Sequence, residues 1–311
     1  MNTELITTRT AELPALSHSL FSRWIAYLDV KPRSVETYTR NLRQFANWLA
    51  ENGIVSPTRA DVIAFRDALQ ASGRSASTIQ GYITTLRLFF SWCAQEGLYA
   101  NVAERIKTPV IDTDHKKDPL SAQQTAQLLS GIDRETETGA RDYAIIALMA
   151  TTGLRTISVV CADVGDIQTV SGIPVLFYRG KGHDEKAVYV KLAEPVYQAI
   201  LAYLSLRGET AKTDPLFASA ANRNSGSRMT TRSVSRIAAT HMAETGVKTE
   251  RITAHSLRHT AATLNLLAGG TVEETQQMLG HKSITTTLIY SHALERIRNQ
   301  SENRVAAAIF G

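Results

Sequence analysis

Residues 253–293 read TAHSLRHTAATLNLLAGGTVEETQQMLGHKSITTTLIYSHA. Helix-forming residues dominate the stretch, yet cationic and proton-carrying side chains recur along it: His255, Arg258 and His259, then His281 after Gly280, then Tyr290. His255 and Arg258 are three apart, which sets them on one face of a helix. His255 and His259 are four apart, a zinc-like spacing. The metalloprotease pattern, however, needs Glu directly after its first histidine, where this chain has Ser256, and no third ligand of obvious spacing follows. Gly280 reads as a helix stop, Ser283 as an N-cap and Tyr290 as standing near the end of a short helix. Taken singly, each fragment has an ordinary reading, as a capping or core histidine or a core tyrosine.

Outward from this block, the chain reads as mainly α. In SVETYTRNLRQFANWLAENG (34–53), Val35, Tyr38, Leu42, Phe45 and Leu49 step by threes and fours along one helix face, with Ser34 as N-cap and Gly53 as stop. SASTIQGYITTLRLFFSWCAQEG (75–97) repeats the pattern through Ile79, Ile83, Leu86, Phe89, Phe90 and Cys93. A shorter helix at 59–72 and a segment around 18–29 complete a helical-bundle domain over 18–105, after a lead-in at 1–17. Residues 106–120, with Pro109, Pro119 and several charges but no apolar period, read as a linker. From 121 to 311 a mostly helical α+β domain is expected. SAQQ (121–124) resembles a capping box, 142–153 is an apolar helix, and IPVLFY (173–178) with KAVYV (186–190) forms a small hairpin around RGKGHDE.

Composition narrows the function classes. The 311 residues carry a formal net charge of +5, which mildly favours a polyanionic partner, and 43% hydrophobic residues, which argues against wholesale disorder. Two cysteines, Cys93 and Cys161, lie far apart with no CxxC, so neither a disulfide framework nor a cysteine zinc site is expected, and a reducing cytoplasm fits. The N-terminus lacks the basic start and apolar core of a signal peptide, and no run of 18 apolar residues predicts a membrane span. Lys181 sits in the hairpin turn, where the phosphate-loop pattern G-x-x-x-x-G-K-[ST] is absent, and a turn lysine is ordinarily solvated. Arg155, in TTGLRT after the apolar helix, reads equally as a surface arginine in a helix–helix turn. No cofactor or metal site is expected.

The order of these fragments is more specific than any one of them. Arg155, then Lys181 in a β-turn, then His255-x-x-Arg258, then Gly280-His281, then Tyr290 nine residues on resembles the tyrosine recombinase (phage integrase) family, of Xer/integrase type, from about residue 18 onward. The resemblance implies an N-terminal core-binding domain and a catalytic domain. It assigns Arg155, Lys181, His255, Arg258 and His281 to the catalytic pocket, Tyr290 as nucleophile and His259 as a supporting residue. One position departs: the family commonly reads TGLRxSEL, whereas this chain reads TGLRTISVV, with Ser158 where a carboxylate would help orient the arginine.

The chemistry suits these residue types. Attack on a phosphodiester builds negative charge on the non-bridging oxygens, which two guanidiniums hold through paired N–H donors. His281 adds a donor, His255 takes or relays the phenol proton, and Lys181 protonates the leaving 5′-oxygen. The resemblance further implies a covalent 3′-phosphotyrosine intermediate, double-stranded DNA sites as partner, and a homotetramer on synapsed DNA whose C-terminal helix (around Val305–Phe310) docks on a neighbouring protomer. Arg33, Arg40, Arg43 and Arg87 are the expected phosphate contacts of the first domain. The competing readings are a DNA-binding regulator with a weakened site and a type IB-like topoisomerase. The intact six-residue set argues against the first, and length and motif wording against the second.

Overall fold

The computed structural model describes residues 18–111, 117–179, 185–220 and 224–310; the expected lead-in at 1–17 lies outside them. The chain divides into two compact units, Met1–Asp114 and His115–Gly311.

The first unit holds α1 (His18–Tyr27), α2 (Pro32–Glu51), α3 (Arg59–Ala71) and α4 (Ala76–Gln95). Its core is aromatic: Trp24, Phe45, Phe65, Phe89 and Phe90 are all at most 1% exposed, and rings of different helices meet edge to face, as Phe45 and Phe65 do at 5.1 Å. Each such ring contributes about 1.5–3 kcal/mol of transfer free energy. α2 begins earlier than Ser34, with Pro32 in its first turn and Lys31 as N-cap, because proline's fixed φ is preorganised for a helix start. Asp61 accepts from the Thr58 backbone N–H at 2.7 Å and so caps α3, and Ser75 caps α4. Asn41 of α2 is buried and donates to Thr85 of α4 at 2.9 Å, a polar pair matched inside the core. The chain then closes the bundle. Tyr99, Val102, Ala103 and Ile106 are buried, and Arg59, Arg66 and Arg87 donate to the carbonyls of Glu104, Lys107 and Ile106. The first residue of the expected linker stretch therefore belongs to the bundle core, and its last, Leu120, is buried in the second unit.

The second unit runs α5 (Ala122–Ser130), α6 (Glu137–Thr152), α7 (Thr156–Val160), a 3-10 turn (Val164–Asp166), β1 (Ile167–Val170), β2 (Ile173–Tyr178), β3 (Val188–Lys191), α8 (Glu194–Arg207), α9 (Thr231–Glu244), α10 (Ala254–Leu267), α11 (Val272–Leu279), α12 (Thr285–Arg298) and α13 (Ser301–Phe310). α6 is the central helix, apolar on nearly every face because α8, α9 and α10 pack around it. The sheet is antiparallel in the order β1-β2-β3, with Leu176 facing Ile167 on one side and Val190 on the other. β1 was not anticipated. It pairs through a two-residue turn in which Ser171 (φ 51°) and Gly172 (φ 82°) both adopt positive φ, as the hairpin turn that matches strand twist requires. β3 starts at Val188 rather than 186, because Lys186 is drawn instead into ion pairs with Asp163, at 2.6 Å, and Asp166. The mainly helical architecture with one small sheet thus brings β2 and the ends of α6, α10, α11 and α12 into a common neighbourhood.

Candidate active site

Four chain segments build the site, and glycines make two of the joints. Gly153 ends α6 in the left-handed region (φ 66°), and Arg155 follows as the N-cap of α7. A Cβ at Gly153 would meet Leu279 Cδ2 at 2.3 Å, so that buried side chain would have to shift. Gly280 ends α11 the same way (φ 61°) and delivers His281.

α10 starts at a capping box in which the Thr253 N–H donates to Ser256 Oγ at 3.1 Å, which explains a serine where a metalloprotease would carry glutamate. Arg258, on the first turns of that helix, is 3% exposed. Its Nη1 donates to the Gly153 carbonyl at 2.5 Å and its Nη2 to the Leu279 carbonyl at 2.7 Å. One guanidinium thereby stitches together the segments that carry Arg155 and His281. It retains further N–H donors, since the group has five. Burial, and then the Arg155 charge, lower its pKa to about 10, while the Tyr290 and Tyr178 phenols act in the opposite direction. At neutral pH it remains a cation beside a second cation, in a partly dry setting that favours an anion.

His281 shares a 2.8 Å hydrogen bond through Nδ1 with the fully buried Thr287 hydroxyl. Burial, followed by the Arg258 and Arg155 charges, pushes its pKa down to about 4, so it is neutral at pH 7. His255 keeps an exposed edge, yet the protein atoms around its ring, then the same two guanidiniums, also hold it below its ordinary range. The His259 ring stands 4.8 Å from that of His255 and 5.3 Å from that of Tyr290.

Tyr290 is 7% exposed and packs with Ala262, Leu266 and Leu279. It is the sixth residue of α12 and not near its end, because the residues after it continue the helix to Arg298; the helix begins at Thr285, later than a Ser283 cap predicts. Burial raises the phenol's pKa, and the Arg258 and Arg155 charges oppose that rise. Arg155, His255, Arg258, His259, His281 and Tyr290 are thus brought together, whereas Lys181 lies outside the described residues. Ser158 is buried on α7, its N–H donating to the Arg155 carbonyl at 2.9 Å.

One neighbour of the two arginines was missed: Tyr178, at the end of β2, whose pKa responds to both charges. In the sequence it is the last residue of an apolar strand, and nothing in the pattern separates it from core. In the first unit, Arg33, Arg40 and Arg43 are exposed along α2. Arg87 is half-buried and donates through Nη2 to the Ile106 carbonyl. Among the described residues no cluster of three or more His, Cys, Asp or Glu side chains forms a metal site, and no helix is long and apolar enough to cross a membrane.

Known proteins match the chain in both of its units. The profile "Phage integrase family" matches residues 119–296, and "Phage integrase, N-terminal SAM-like domain" matches 21–97. Tyrosine recombinase XerC of Pelobacter propionicus is 32% identical over 275 residues, covering 86% of this chain and 88% of the relative. Tyrosine recombinase XerD of Listeria monocytogenes is 29% identical, covering 83% and 87%. In fold, the chain is similar to the XerH site-specific recombinase bound to palindromic difH substrate in a post-cleavage complex, with TM-score 0.69, 20% identity and coverage of 95% and 84%. It is likewise similar to a lambda integrase tetramer bound to a Holliday junction, with TM-score 0.70, 18% identity and coverage of 89% and 77%.

Proposed function

Because the chain belongs to the phage integrase family, we propose that its site-specific recombination of double-stranded DNA runs through Tyr290 and the pocket around Arg258. The protein is a tyrosine-type recombinase, and the roles of its residues follow from their chemistry. Arg155 and Arg258 hold the non-bridging oxygens of the scissile phosphate. His281 adds a hydrogen bond from Nε2 when its Nδ1 accepts the Thr287 proton. The Tyr290 oxygen attacks phosphorus, and the 5′-oxygen of the DNA leaves, leaving a 3′-phosphotyrosine. A phenol with a reference pKa of about 10 attacks poorly unless its proton departs during the reaction. His255, held neutral, takes or relays that proton, with His259 as its neighbour toward Tyr290. Lys181 protonates the leaving oxygen. The phosphotyrosine is itself an ester, so attack by a 5′-hydroxyl rejoins the strand without ATP.

The observation that carries this reading is the double anchorage of Arg258 on the Gly153 and Leu279 carbonyls, which gathers the Arg155, His281 and Tyr290 segments about one cationic point. A duplex nicked near the cleavage site, so that the cut fragment diffuses away, tests it. Wild-type protein accumulates a covalent adduct and Tyr290→Phe none; strand transfer surviving in Tyr290→Phe defeats the assignment. A regulator with a decayed site would trap nothing even as wild type.

The exposed arginines of α2 supply phosphate contacts in the first unit. The assembly is a homotetramer working in the cytoplasm, in which α13 docks on a neighbouring protomer. Val305, Ile309 and Phe310 of that helix are 57, 67 and 85% exposed, an apolar set left uncovered by the described residues. Deleting residues 303–311 weakens assembly on DNA and spares binding to a single site, as gel-shift stoichiometry will show.

A further inference from the structure

Tyr178 has a polar end that its packing does not explain. The residue is 5% exposed and belongs to the main core cluster of its unit, so a phenylalanine would fill the same space. Its hydroxyl, however, comes up against backbone at Gly280. A Cβ added to Gly280 would come within 2.8 Å of that oxygen, so the phenol rests on the left-handed turn between Leu279 and His281. The Leu279 carbonyl in the same turn accepts from Arg258 Nη2 at 2.7 Å. Phenol and guanidinium therefore converge on two adjacent residues.

Among the described residues the Tyr178 hydroxyl makes no hydrogen bond, and it is not one of the fully enclosed polar atoms left without a partner, so its tip keeps contact with solvent. Buried tyrosine hydroxyls ordinarily find a partner. The Arg258 and Arg155 charges act on this phenol and lower its pKa against the stronger upward push of burial. The group stays protonated and hence a donor. What such a donor lacks beside two cations is an anionic oxygen. A neutral donor also has a physical advantage over a third cation at this point: it adds stabilisation to an anion without deepening the repulsion between Arg155 and Arg258 in the empty site.

We infer that Tyr178 is a further catalytic residue, its hydroxyl donating a hydrogen bond to a non-bridging oxygen of the phosphate gripped by Arg155 and Arg258. The phosphate cradle then draws donors from four places, with β2 contributing beside the α6–α7 joint, α10 and the turn after α11. Tyr178 keeps its proton throughout, so no bond to it is made or broken. The inference rests on the phosphodiester reading given above.

The test is Tyr178→Phe in the full chain, with two readouts. On the nicked duplex, adduct formation slows on the order of 10²-fold, the effect of removing one preorganised donor to a developing oxyanion. The slowing disappears when the non-bridging oxygen it contacts is replaced by methyl in one stereoisomer of a methylphosphonate duplex. Orthovanadate binding, followed by calorimetry without DNA, weakens about tenfold, as expected for a lost hydrogen bond to a charged group. Equal rates on the phosphodiester, or equal slowing on the phosphodiester and both methylphosphonate isomers, overturn the inference and leave Tyr178 as packing. A residual adduct in Tyr290→Phe that maps to Tyr178 overturns it too, in favour of a second nucleophile. If wild type forms no adduct, the recombinase assignment of the site falls. The vanadate measurement then still decides for Tyr178, with weakened binding supporting its role and unchanged binding excluding it.

Discussion

The helical bundle of the first unit and the corner made by α10, α11 and α12 both bury polar groups, and they do so to opposite ends. In the bundle the ties are between its own groups: Asn41 meets Thr85, and Arg87 Nη2 meets a carbonyl of its own unit, while Arg87 Nε, Trp92 Nε1 and Asn101 Oδ1 stay buried without a partner among the described residues. In the corner, Arg258 also reaches two carbonyls, but a second cation stands near it, His281 is held neutral and two phenols are pressed above their ordinary range. The first arrangement specifies a packing. The second leaves an unbalanced positive field that an incoming phosphate resolves, and that imbalance is what separates a site from a core.

The sharpest way to break the contrast is a matched pair of arginine replacements. Arg258→Lys keeps the charge, but a compact ammonium cannot span the Gly153 and Leu279 carbonyls while still forking toward a phosphate. Adduct formation on the nicked duplex is expected to fall on the order of 10²–10³-fold. Arg87→Lys, which loses one tie to the Ile106 carbonyl, is expected to lower stability by about 1 kcal/mol and to change the adduct rate no more than a few-fold. Equal loss of activity from both would erase the distinction.

Two glycines sharpen it next. Gly153 and Gly53 both end helices at nearly the same positive φ, 66° and 65°, so an alanine is strained at each. A Cβ at Gly53 meets nothing within 4 Å, whereas at Gly153 it runs into Leu279. Gly53→Ala should cost about 1–2 kcal/mol, from the backbone alone. Gly153→Ala should cost about 2–5 kcal/mol once overpacking is added, and should displace the carbonyl that holds Arg258. Urea unfolding of the full chain, read unit by unit, measures both.

How far the sequence foretold this depends on the range of the interaction involved. α2 and α4 were legible because their apolar steps are local and uninterrupted. The order Arg155, His255, Arg258, His281, Tyr290 was legible as a likeness, although what unites the residues is a set of contacts such as Arg258 to Gly153, 105 residues apart. β1 was not legible, since IQTV has no alternation and its pairing depends on a turn with two positive φ values. Nor was Tyr178, whose hydroxyl matters only because a distant glycine leaves room for it. The tie of Arg87 to the Ile106 carbonyl was not legible either, since it forms only where the chain returns 19 residues later.

Within the bundle, the polar pair itself is open to a milder test. Asn41→Ala removes the donor to the Thr85 hydroxyl, which keeps only its own bond to the Gly81 carbonyl, and should cost about 1–3 kcal/mol. Replacing both, Asn41→Leu with Thr85→Val, should recover most of that loss, because no buried group is then left unmatched. A double variant no better than the single would mean that the pair is not the self-contained unit described above.

A last test concerns pH and again divides the two regions. His281 has a folded pKa of about 4 against an ordinary value of 6.5, so between those limits the unfolded chain binds the extra proton and the folded one does not. Stability of the second unit should therefore be fully expressed above about pH 6.5 and decline as pH falls toward 4. His255, shifted in the same direction by burial and the same two charges, adds to the decline. The first unit, whose sequence contains the single histidine His18, should show no matching loss over that interval. His281→Asn should flatten the dependence of the second unit without moving the first. If both units lose stability in parallel between pH 6.5 and 4, the effect belongs to carboxylates spread over the chain and not to the cationic corner.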